Sequence, residues 1–195
     1  SRMNLDIPKQ YDQVNHQPII NYCLKTFLDN SLTAAIIIGV ADEWKAFVQE
    51  HVEKLHPHKP IYYAQPGETR QYSIFNALKT AKACGCADDD LVIIHDAARP
   101  LVSQALINAC YEGCQEADGA MPVIPVKDTT YLSEDGKHIQ QLLNRCHLWG
   151  GQAPEAFRFG KYLHVHETMP RADLLKINGS TEIAFKAGLN CQMVT

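Results

Sequence analysis

The sequence predicts an α/β fold, because short β-branched runs alternate along the chain with segments of helical spacing. Two runs are the clearest: residues 34–40 are Ala-Ala-Ile-Ile-Ile-Gly-Val, and residues 91–95 are Leu-Val-Ile-Ile-His. Continuous apolar runs of this length are typical of strands buried on both faces of a parallel sheet. Strands separated by helices of ten or more residues imply crossover connections. We therefore expect a mostly parallel, twisted sheet flanked by helices.

Local patterns place the elements in order. Apolar residues at helical spacing predict a helix over Ile19–Asp29. After the first strand, Asp42 is a suitable N-cap for a second helix. The remaining predictions are a strand at 61–64, a helix from 67 to about 84, the strand at 91–95, a helix capped by Ser103, and a strand at 120–126.

One segment interrupts this alternation. Residues 129–132 and 138–142 flank the tract Ser-Glu-Asp-Gly-Lys at 133–137, and an Asp-Gly pair is typical of a tight hairpin turn. We predict an antiparallel β-arm at about 127–148, inserted in a single domain that covers residues 1–195. Such an arm covers the site or reaches a partner subunit.

Composition excludes several classes of protein. The chain has 195 residues and a formal net charge of −4, which argues against a dedicated nucleic-acid binder. The longest apolar run has about ten residues, whereas a membrane-spanning helix needs roughly 20. We expect partners that are neither nucleic acid nor membrane. The first residues also lack a signal peptide, and they are typical of the middle of a protein, so we expect a segment to be missing there.

The seven cysteines predict reduced thiols in a cytoplasmic protein. Their number is odd and their spacing irregular, which is not a disulfide framework. Cys84 and Cys86 lack the second pair that a zinc site needs. None of the nine histidines is assigned as a ligand or a base.

The tract His-Asp-Ala-Ala-Arg-Pro at residues 95–100 is the strongest candidate for chemistry. Ligands of open α/β sheets bind at the carboxyl ends of strands, and here a buried strand delivers Asp96 and Arg99 together. The carboxylate is suited to Mg²⁺ and the guanidinium to a phosphate. The alternative is a structural Asp–Arg pair that ends a strand.

Three further clusters are candidates. Arg2 with Lys9, which follows a rigid proline, suits a phosphate clamp, although Lys9 alone is equally consistent with a solvated side chain. Residues 67–73 (Gly-Glu-Thr-Arg-Gln-Tyr-Ser) begin a helix, where free amides favour an anion, but ordinary capping explains them as well. Arg145 near the end of the arm is a candidate ligand or a surface charge. No nucleophile elbow, complete P-loop or dinucleotide fingerprint is present in the sequence.

Taken together, these tracts resemble a known family. The resemblance is carried, in order, by Arg2-Met3, by Pro-Lys-Gln-Tyr at 8–11, by Gly-Glu-Thr-Arg at 67–70 with Ser73, by residues 95–100, by Pro-Val-Lys-Asp-Thr at 125–129, and by Asn144-Arg145 with Leu148-Trp149. They resemble the 2-C-methyl-D-erythritol 4-phosphate cytidylyltransferases and the related ribitol-5-phosphate cytidylyltransferases. The resemblance runs from Arg2 to about residue 157, and more loosely to Thr195.

The resemblance implies a Rossmann-like nucleotidyltransferase that is a homodimer through its β-arm. Such an enzyme transfers CMP from CTP to a sugar-alcohol phosphate, uses Mg²⁺ and releases pyrophosphate. The leading acceptor is 2-C-methyl-D-erythritol 4-phosphate, used in the synthesis of isoprenoid precursors. Ribitol 5-phosphate, used for cell-surface polymers, is the alternative, and a nucleotide-binding paralogue without turnover is a third possibility.

It also implies roles for individual residues. Arg2 and Lys9 would hold the triphosphate and stabilise the transition state. Gly67, Glu68 and Ser73 would surround the cytidine, and Asp96 would meet Mg²⁺ or substrate. The residues implied for the acceptor phosphate are Arg99 and, from the arm and in the neighbouring subunit's site, Thr129 and Arg145.

The sequence departs from the family pattern in three places. The strand and Gly-rich loop that precede Arg2 in the family, and a lysine near its C-terminus, have no counterpart, so we expect truncation at both ends. Residues 152–155 are Gln-Ala-Pro-Glu in place of a tract resembling Gln-Thr-Pro-Gln. Residues 178–182 are Asn-Gly-Ser-Thr-Glu where a Thr-Asp-Glu tract is usual, which weakens the choice of acceptor.

Overall fold

The α/β class is confirmed by the computed structural model, which describes residues 7–195. The strands are β1 (Gln13–Val14), β2 (Gln17–Pro18), β3 (Ile36–Gly39), β4 (Ile61–Ala64), β5 (Leu91–Ile94), β6 (Gly119–Pro125), β7 (Thr130–Leu132), β8 (Gln141–Leu143), β9 (Trp149–Gly151), β10 (Glu155–Arg158) and β11 (Cys191–Val194). The helices are α1 (Ile19–Asp29), α2 (Asp42–Glu53), α3 (Arg70–Ala83), α4 (Gln104–Gly113), α5 (Phe159–Thr168), α6 (Arg171–Leu174) and α7 (Ser180–Lys186).

The sheet is mixed rather than mostly parallel. Strands β3 and β4 form a parallel pair, and β11 is parallel to β6. Strand β10 lies between β5 and β6 and is antiparallel to both. Strand β9 is antiparallel to the last three residues of β6, Val123–Pro125. The reason is the connection: no crossover helix lies between β6 and β10, so the chain returns through the arm and runs the opposite way.

Helices cover both faces of these strands, as the periodicity of the strands shows. Ile37 packs against a core formed by α3, α5, α7 and β10, whereas its neighbour Ile38 belongs to a core formed by α1, α2 and α4. In β5, Ile94 and Ile93 divide between the same two cores. Successive strand residues point to opposite faces, so a fully apolar strand is needed here.

Most predicted elements are confirmed, with shifted ends. Helix α1 has the predicted bounds, and Ser103 caps α4 by accepting a hydrogen bond from the Leu106 amide at 3.2 Å. Asp42 is not an N-cap but the first residue of α2, where its charge favours the helix dipole. Helix α3 begins at Arg70 rather than at residue 67, because Thr69 is its N-cap.

The arm is present, but its turn is longer than predicted. Strands β7 and β8 pair in antiparallel register, and residues 133–140 connect them. Gly136 has a positive φ of 67°, as the Asp-Gly pair suggested. The connection is longer than the predicted tract 133–137 because the Asp135 carboxylate accepts hydrogen bonds from the amides of Lys137 and His138 and from the His138 ring, which organises a wider loop.

Two further features concern the helices and the cysteines. Among the described residues, no helix combines the length and the apolar character needed to cross a membrane. All seven cysteines are free thiols, and burial raises the pKa of Cys110 to about 11 and that of Cys114 to about 12. These two thiols are therefore unreactive at neutral pH.

Asp118 fastens the start of β6 to later parts of the chain. Its carboxylate accepts hydrogen bonds from Lys161 Nζ at 2.6 Å and from the Asn190 amide at 3.0 Å, and the Lys161 bond holds the pKa of Asp118 below its ordinary value. Because its pKa is lower in the folded state, the ionised Asp118 stabilises the fold at pH values above the pKa of aspartate in the unfolded chain. That contribution is lost as the pH falls through the pKa of Asp118 in the folded state.

We expect Asp118→Ala to lower the free energy of unfolding by about 1–3 kcal/mol at pH 7. Urea unfolding of both proteins from pH 7 to pH 3 measures the difference, which should shrink at the acid end. The exposed Asp89→Ala is the matched control. A difference that stays constant over this range contradicts the role given to the Asp118 charge.

Candidate active site

The loop after β5 is organised around the carboxylate of Asp96. Its Oδ1 accepts a hydrogen bond from Arg70 Nη2 at 3.1 Å, and its Oδ2 accepts one from Arg99 Nε at 3.0 Å. Burial raises the pKa of Asp96, but the two guanidinium groups outweigh it and hold the value below the ordinary range. Asp96 is therefore ionised at neutral pH, with both oxygens directed at cations.

His95 supports this loop rather than facing a substrate. Its Nε2 lies 2.9 Å from the Arg99 carbonyl oxygen, and its ring packs 5.4 Å from that of Phe27. Burial lowers the pKa of His95, so the ring is neutral and donates to the carbonyl. The His95 side chain therefore holds the backbone at Arg99, and this fixes the position from which the Arg99 side chain extends.

Residues 67–73 form a close turn onto the start of α3. The Gly67 amide donates to Ser73 Oγ at 3.0 Å, and the Ser73 hydroxyl donates to the Thr69 carbonyl at 2.9 Å. A Cβ on Gly67 would lie 2.3 Å from Tyr72 Cβ, so only glycine fits here. Ser73 therefore holds the loop in place, a role that the sequence analysis did not foresee.

Glu68, the predicted partner of cytidine, is tied to the C-terminal part of the chain. Its carboxylate accepts from Arg171 Nη2 at 2.8 Å, and the Arg171 guanidinium lies 5.8 Å from the centre of the Tyr72 ring. Both charged side chains are largely exposed. The short helix α6 thus contacts the 67–73 loop and limits its movement.

The loop at 67–73 and the loop after β5 meet through Arg70. The spacing of the residues gave no sign of this, because Arg70 was assigned only to a helix start. Arg70 also donates from Nη1 to the Ser180 hydroxyl at the first residue of α7. The 3₁₀ turn at Lys9–Tyr11 is anchored by Tyr11 to the same hydrophobic core as Ala97 of the loop after β5.

Lys9 is exposed beside a firmly packed residue. Tyr11 is 4% exposed and its ring centre lies 4.9 Å from that of Trp44, while Lys9 makes no ion pair with residues 7–195. The backbone of this tract is therefore fixed, and its cation has no ion-pair partner within residues 7–195. Arg2, the other predicted clamp residue, lies outside the described residues.

Thr129 and Arg145 lie together at the base of the arm, both exposed. Arg145 Nη1 donates to the Lys127 carbonyl at 2.7 Å, and the register of β7 and β8 pairs Thr130 with Leu143. Both residues therefore lie at the base of the arm, but no hydrogen bond among the described residues joins them to Asp96 or Arg99.

The described residues do not fit a magnesium ion held at Asp96. Both carboxylate oxygens already accept from guanidinium groups, whose positive charge opposes a second cation. Within residues 7–195 no group of three or more His, Cys, Asp or Glu side chains is arranged around a metal position. These contacts favour a role for Asp96 in orienting the two arginines, and its role as a metal ligand stays a prediction.

Comparison with known proteins supplies the family. A family model described as 2-C-methyl-D-erythritol 4-phosphate cytidylyltransferase matches residues 1–195. The chain belongs to this family. A curated member from Clostridioides difficile (strain 630) is 32% identical over 167 residues, which are 85% of this chain and 68% of that protein. The resemblance stated from the motifs is thereby confirmed.

Two further proteins are similar to this chain in sequence or in structure. A ribitol-5-phosphate cytidylyltransferase from Streptococcus agalactiae serotype V is 30% identical over 158 residues, covering 81% of this chain and 65% of that protein. The crystal structure of the 2-C-methyl-D-erythritol 4-phosphate cytidylyltransferase of Francisella tularensis is 26% identical, with a TM-score of 0.80, and the match covers 97% of this chain and 84% of that one. The Rossmann-like nucleotidyltransferase fold is confirmed.

Two tracts that depart from the cytidylyltransferase pattern, 152–155 and 178–182, contact the two arginines that bind Asp96. From the first, Gln152 Oε1 accepts from Arg99 Nη1 at 3.4 Å, and Glu155 begins β10 opposite Ile94. From the second, Ser180 accepts from Arg70. The two tracts therefore meet at one place, which is the environment of the Asp96 carboxylate.

Proposed function

We propose that this cytidylyltransferase-family chain transfers CMP from CTP to a polyol phosphate and releases pyrophosphate, with 2-C-methyl-D-erythritol 4-phosphate as the acceptor. The observation that carries the proposal is the contact between Arg70 and Asp96. It places the loop implied for cytidine beside the loop implied for the acceptor phosphate. Two substrates bound on these loops would lie side by side.

The chemistry suits a site built of cations. An oxygen of the acceptor phosphate attacks the α-phosphorus of CTP, and the bond from that phosphorus to the bridging oxygen of pyrophosphate breaks. The attacking oxygen is already ionised, so no general base is needed. The barrier comes from bringing anions together, and it is lowered by fixed positive groups.

We assign the site residues to the two substrates, CTP and the acceptor phosphate. Arg2 and Lys9 bind the triphosphate, and Lys9 neutralises the charge that develops at the α-phosphate. Gly67, Glu68 and Ser73 form the cytidine loop, while Arg99 binds the acceptor phosphate with Thr129 and Arg145. We infer that Mg²⁺ enters with CTP, bound to the phosphates, since Asp96 is engaged by two arginines.

We also propose a homodimer formed through the arm. Three of its apolar side chains are more than half exposed: Tyr131 at 51%, Ile139 at 65% and Leu142 at 63%. Apolar residues concentrated on a projecting hairpin are typical of an interface. A second copy packed there would bring Thr129 and Arg145 of one chain towards the Arg99 of the other.

Leu142→Asp should therefore weaken the dimer by placing a charge in a dry interface, which costs several kcal/mol. Sedimentation velocity at micromolar concentration measures the monomer fraction, and turnover should fall with the dimer. Leu32→Asp, at a 44% exposed position outside the arm, is the control. A monomeric wild type, or an L142D variant that stays dimeric and active, contradicts the shared site.

The proposed activity is tested by pyrophosphate release from CTP and Mg²⁺ with each acceptor separately. Release with 2-C-methyl-D-erythritol 4-phosphate alone supports the proposal. Release with ribitol 5-phosphate alone favours the second candidate function, that of a ribitol-5-phosphate cytidylyltransferase. Two observations support this candidate: the 30% identical streptococcal relative and the changed residues at 178–182. Measurable CTP binding without release in either assay favours the nucleotide-binding paralogue without turnover.

A cytoplasmic location completes the proposal. The support is chemical: none of the seven cysteines is in a disulfide, and two of them are buried one helical turn apart at 110 and 114. Thiols kept in this state are typical of reducing compartments.

A further inference from the structure

Arg70 connects three elements that are distant in sequence. It is the first residue of α3, and its two terminal nitrogens divide between Asp96, after β5, and Ser180, at the start of α7. The Asp96 contact is 3.1 Å long, and Ser180 is fully buried. A guanidinium has donors in a fixed planar fork, so both partners together set its orientation.

A second carboxyl group lies near this arginine. Glu155 is opposite Ile94 in the sheet, and Ile94 is two residues before Asp96. Burial raises the pKa of Glu155, while the hydroxyl groups of Ser180 and Thr181 and the charge of Arg70 act in the opposite direction. Arg70 thus forms an ion pair with Asp96, and its charge also acts to lower the pKa of Glu155.

The contact between Arg70 and Asp96 also affects the orientation of Arg99. With Oδ1 of Asp96 occupied by Arg70, Oδ2 accepts from Arg99 Nε, and Arg99 Nη1 reaches Gln152 at 3.4 Å. The orientation of the Arg99 guanidinium is therefore determined by a carboxylate that Arg70 holds. Without Arg70, Asp96 would be free to rotate and to engage Arg99 alone.

We propose that Arg70 is a positioning residue of the acceptor site, which sets the orientation of Asp96 and, through it, of the Arg99 guanidinium that binds the acceptor phosphate. Helix α7 contributes by holding Arg70 through Ser180. The inference rests on the proposed function for the identity of the ligand, and on the described contacts for the coupling between these side chains.

Steady-state kinetics tests the first half of the inference. In Arg70→Gln, KM for the acceptor should rise about 10–100-fold, because a small misplacement of a phosphate-binding group is costly, while KM for CTP changes less than about twofold. Arg70→Lys should recover only part of the loss, since one ammonium group cannot span both partners. Lys79→Gln removes a cation from the same helix and is the control.

Ser180→Ala provides a milder variant that keeps Arg70. It should raise KM for the acceptor in the same direction and by a smaller factor. Equal increases in both KM values, or an R70Q variant that behaves as K79Q does, overturn the positioning role.

Carbon-detected NMR of ¹³C-labelled aspartate tests the coupling without turnover. The groups facing Asp96 are Arg70 from α3, Arg99 and His95 from its own loop, and Glu155 from β10. The pKa of Asp96 should lie below 3.8 in the wild type, rise in R70Q, and not rise in Glu155→Gln or K79Q. Asp96→Asn assigns the signal.

The two readouts separate the possible failures. An Asp96 pKa that is unchanged in R70Q overturns the inference whatever the enzyme does. A rise in that pKa, in a wild-type protein that releases no pyrophosphate with either acceptor, upholds the Arg70–Asp96 coupling and overturns the proposed function.

Discussion

Replacing Lys9 by alanine should lower kcat/KM about 10²–10³-fold, in the range found when one preorganised charge-stabilising group is removed. Lys9 is the cation that we place at the triphosphate, where negative charge is concentrated as the acceptor attacks. No side chain among residues 7–195 pairs with it, so its charge is available to a ligand. The loss should appear mainly in kcat.

The stability of the protein should hardly change in this variant. The 3₁₀ turn that carries Lys9 is fixed by the Tyr11 side chain, which packs against Trp44 and Phe47, and by a hydrogen bond from the Tyr11 amide to the Pro8 carbonyl at 2.8 Å. Neither depends on the lysine side chain. We expect a change in the free energy of unfolding within about 0.5 kcal/mol, as for other exposed positions.

Pyrophosphate release at saturating acceptor measures the effect, and urea unfolding checks the fold. Lys25→Ala, at an exposed position of α1, removes the same charge elsewhere and should leave turnover intact. Lys9→Arg keeps a cation with another shape and should be intermediate. A Lys9→Ala enzyme with normal turnover would show that the triphosphate is neutralised by other groups.

The sequence was sufficient for the fold class because that information is local. The runs at 34–40 and 91–95 are continuous and apolar, and the structure explains why: Ile37, Ile38, Ile93 and Ile94 alternate between two helical layers. The direction of β10 was not predictable in the same way. It depends on how the chain returns from the arm, and strand periodicity carries no sign of direction.

In the candidate site, too, local sequence patterns could be predicted and long-range contacts could not. Gly67, Ser73, Asp96 and Arg99 could be predicted as site residues because each lies in a short contiguous tract at the end of a strand or the beginning of a helix. Ser180 was noticed only as a departure from the family pattern, since its contact with Arg70 spans 110 residues of sequence. Arg171, which binds Glu68 across 103 residues, gave no signal at all. Tertiary contacts of this kind follow from the fold and not from spacing.

Gly67→Ala should abolish most of the CTP affinity. An added Cβ would lie 2.3 Å from Tyr72 Cβ, 2.7 Å from the Tyr72 carbonyl carbon and 2.9 Å from the Ser73 nitrogen. The last two atoms are backbone of the first turn of α3, which cannot move without breaking the turn. Residues 67–69 would therefore shift away from the helix, and the cytidine loop would lose its shape.

We expect the dissociation constant for CTP to rise about 100-fold, as for a misplacement of roughly 1 Å, and the free energy of unfolding to fall by about 1–3 kcal/mol from overpacking. Isothermal titration calorimetry with CTP and Mg²⁺ measures the first, and urea unfolding the second. Gly150→Ala is the matched control, because its Cβ would meet Ile124 at 3.6 Å, an ordinary contact.

Ser73→Ala separates space from hydrogen bonding at the same turn. It removes the hydroxyl that accepts from the Gly67 amide and donates to the Thr69 carbonyl, yet leaves room for the loop. Its effect on CTP affinity should be smaller than that of G67A, about tenfold or about 1.4 kcal/mol, in the range for the loss of a hydrogen bond. If S73A were as damaging as G67A, the hydroxyl itself would be a ligand of the nucleotide; if G67A bound CTP normally, the loop at 67–69 would not be the cytidine site.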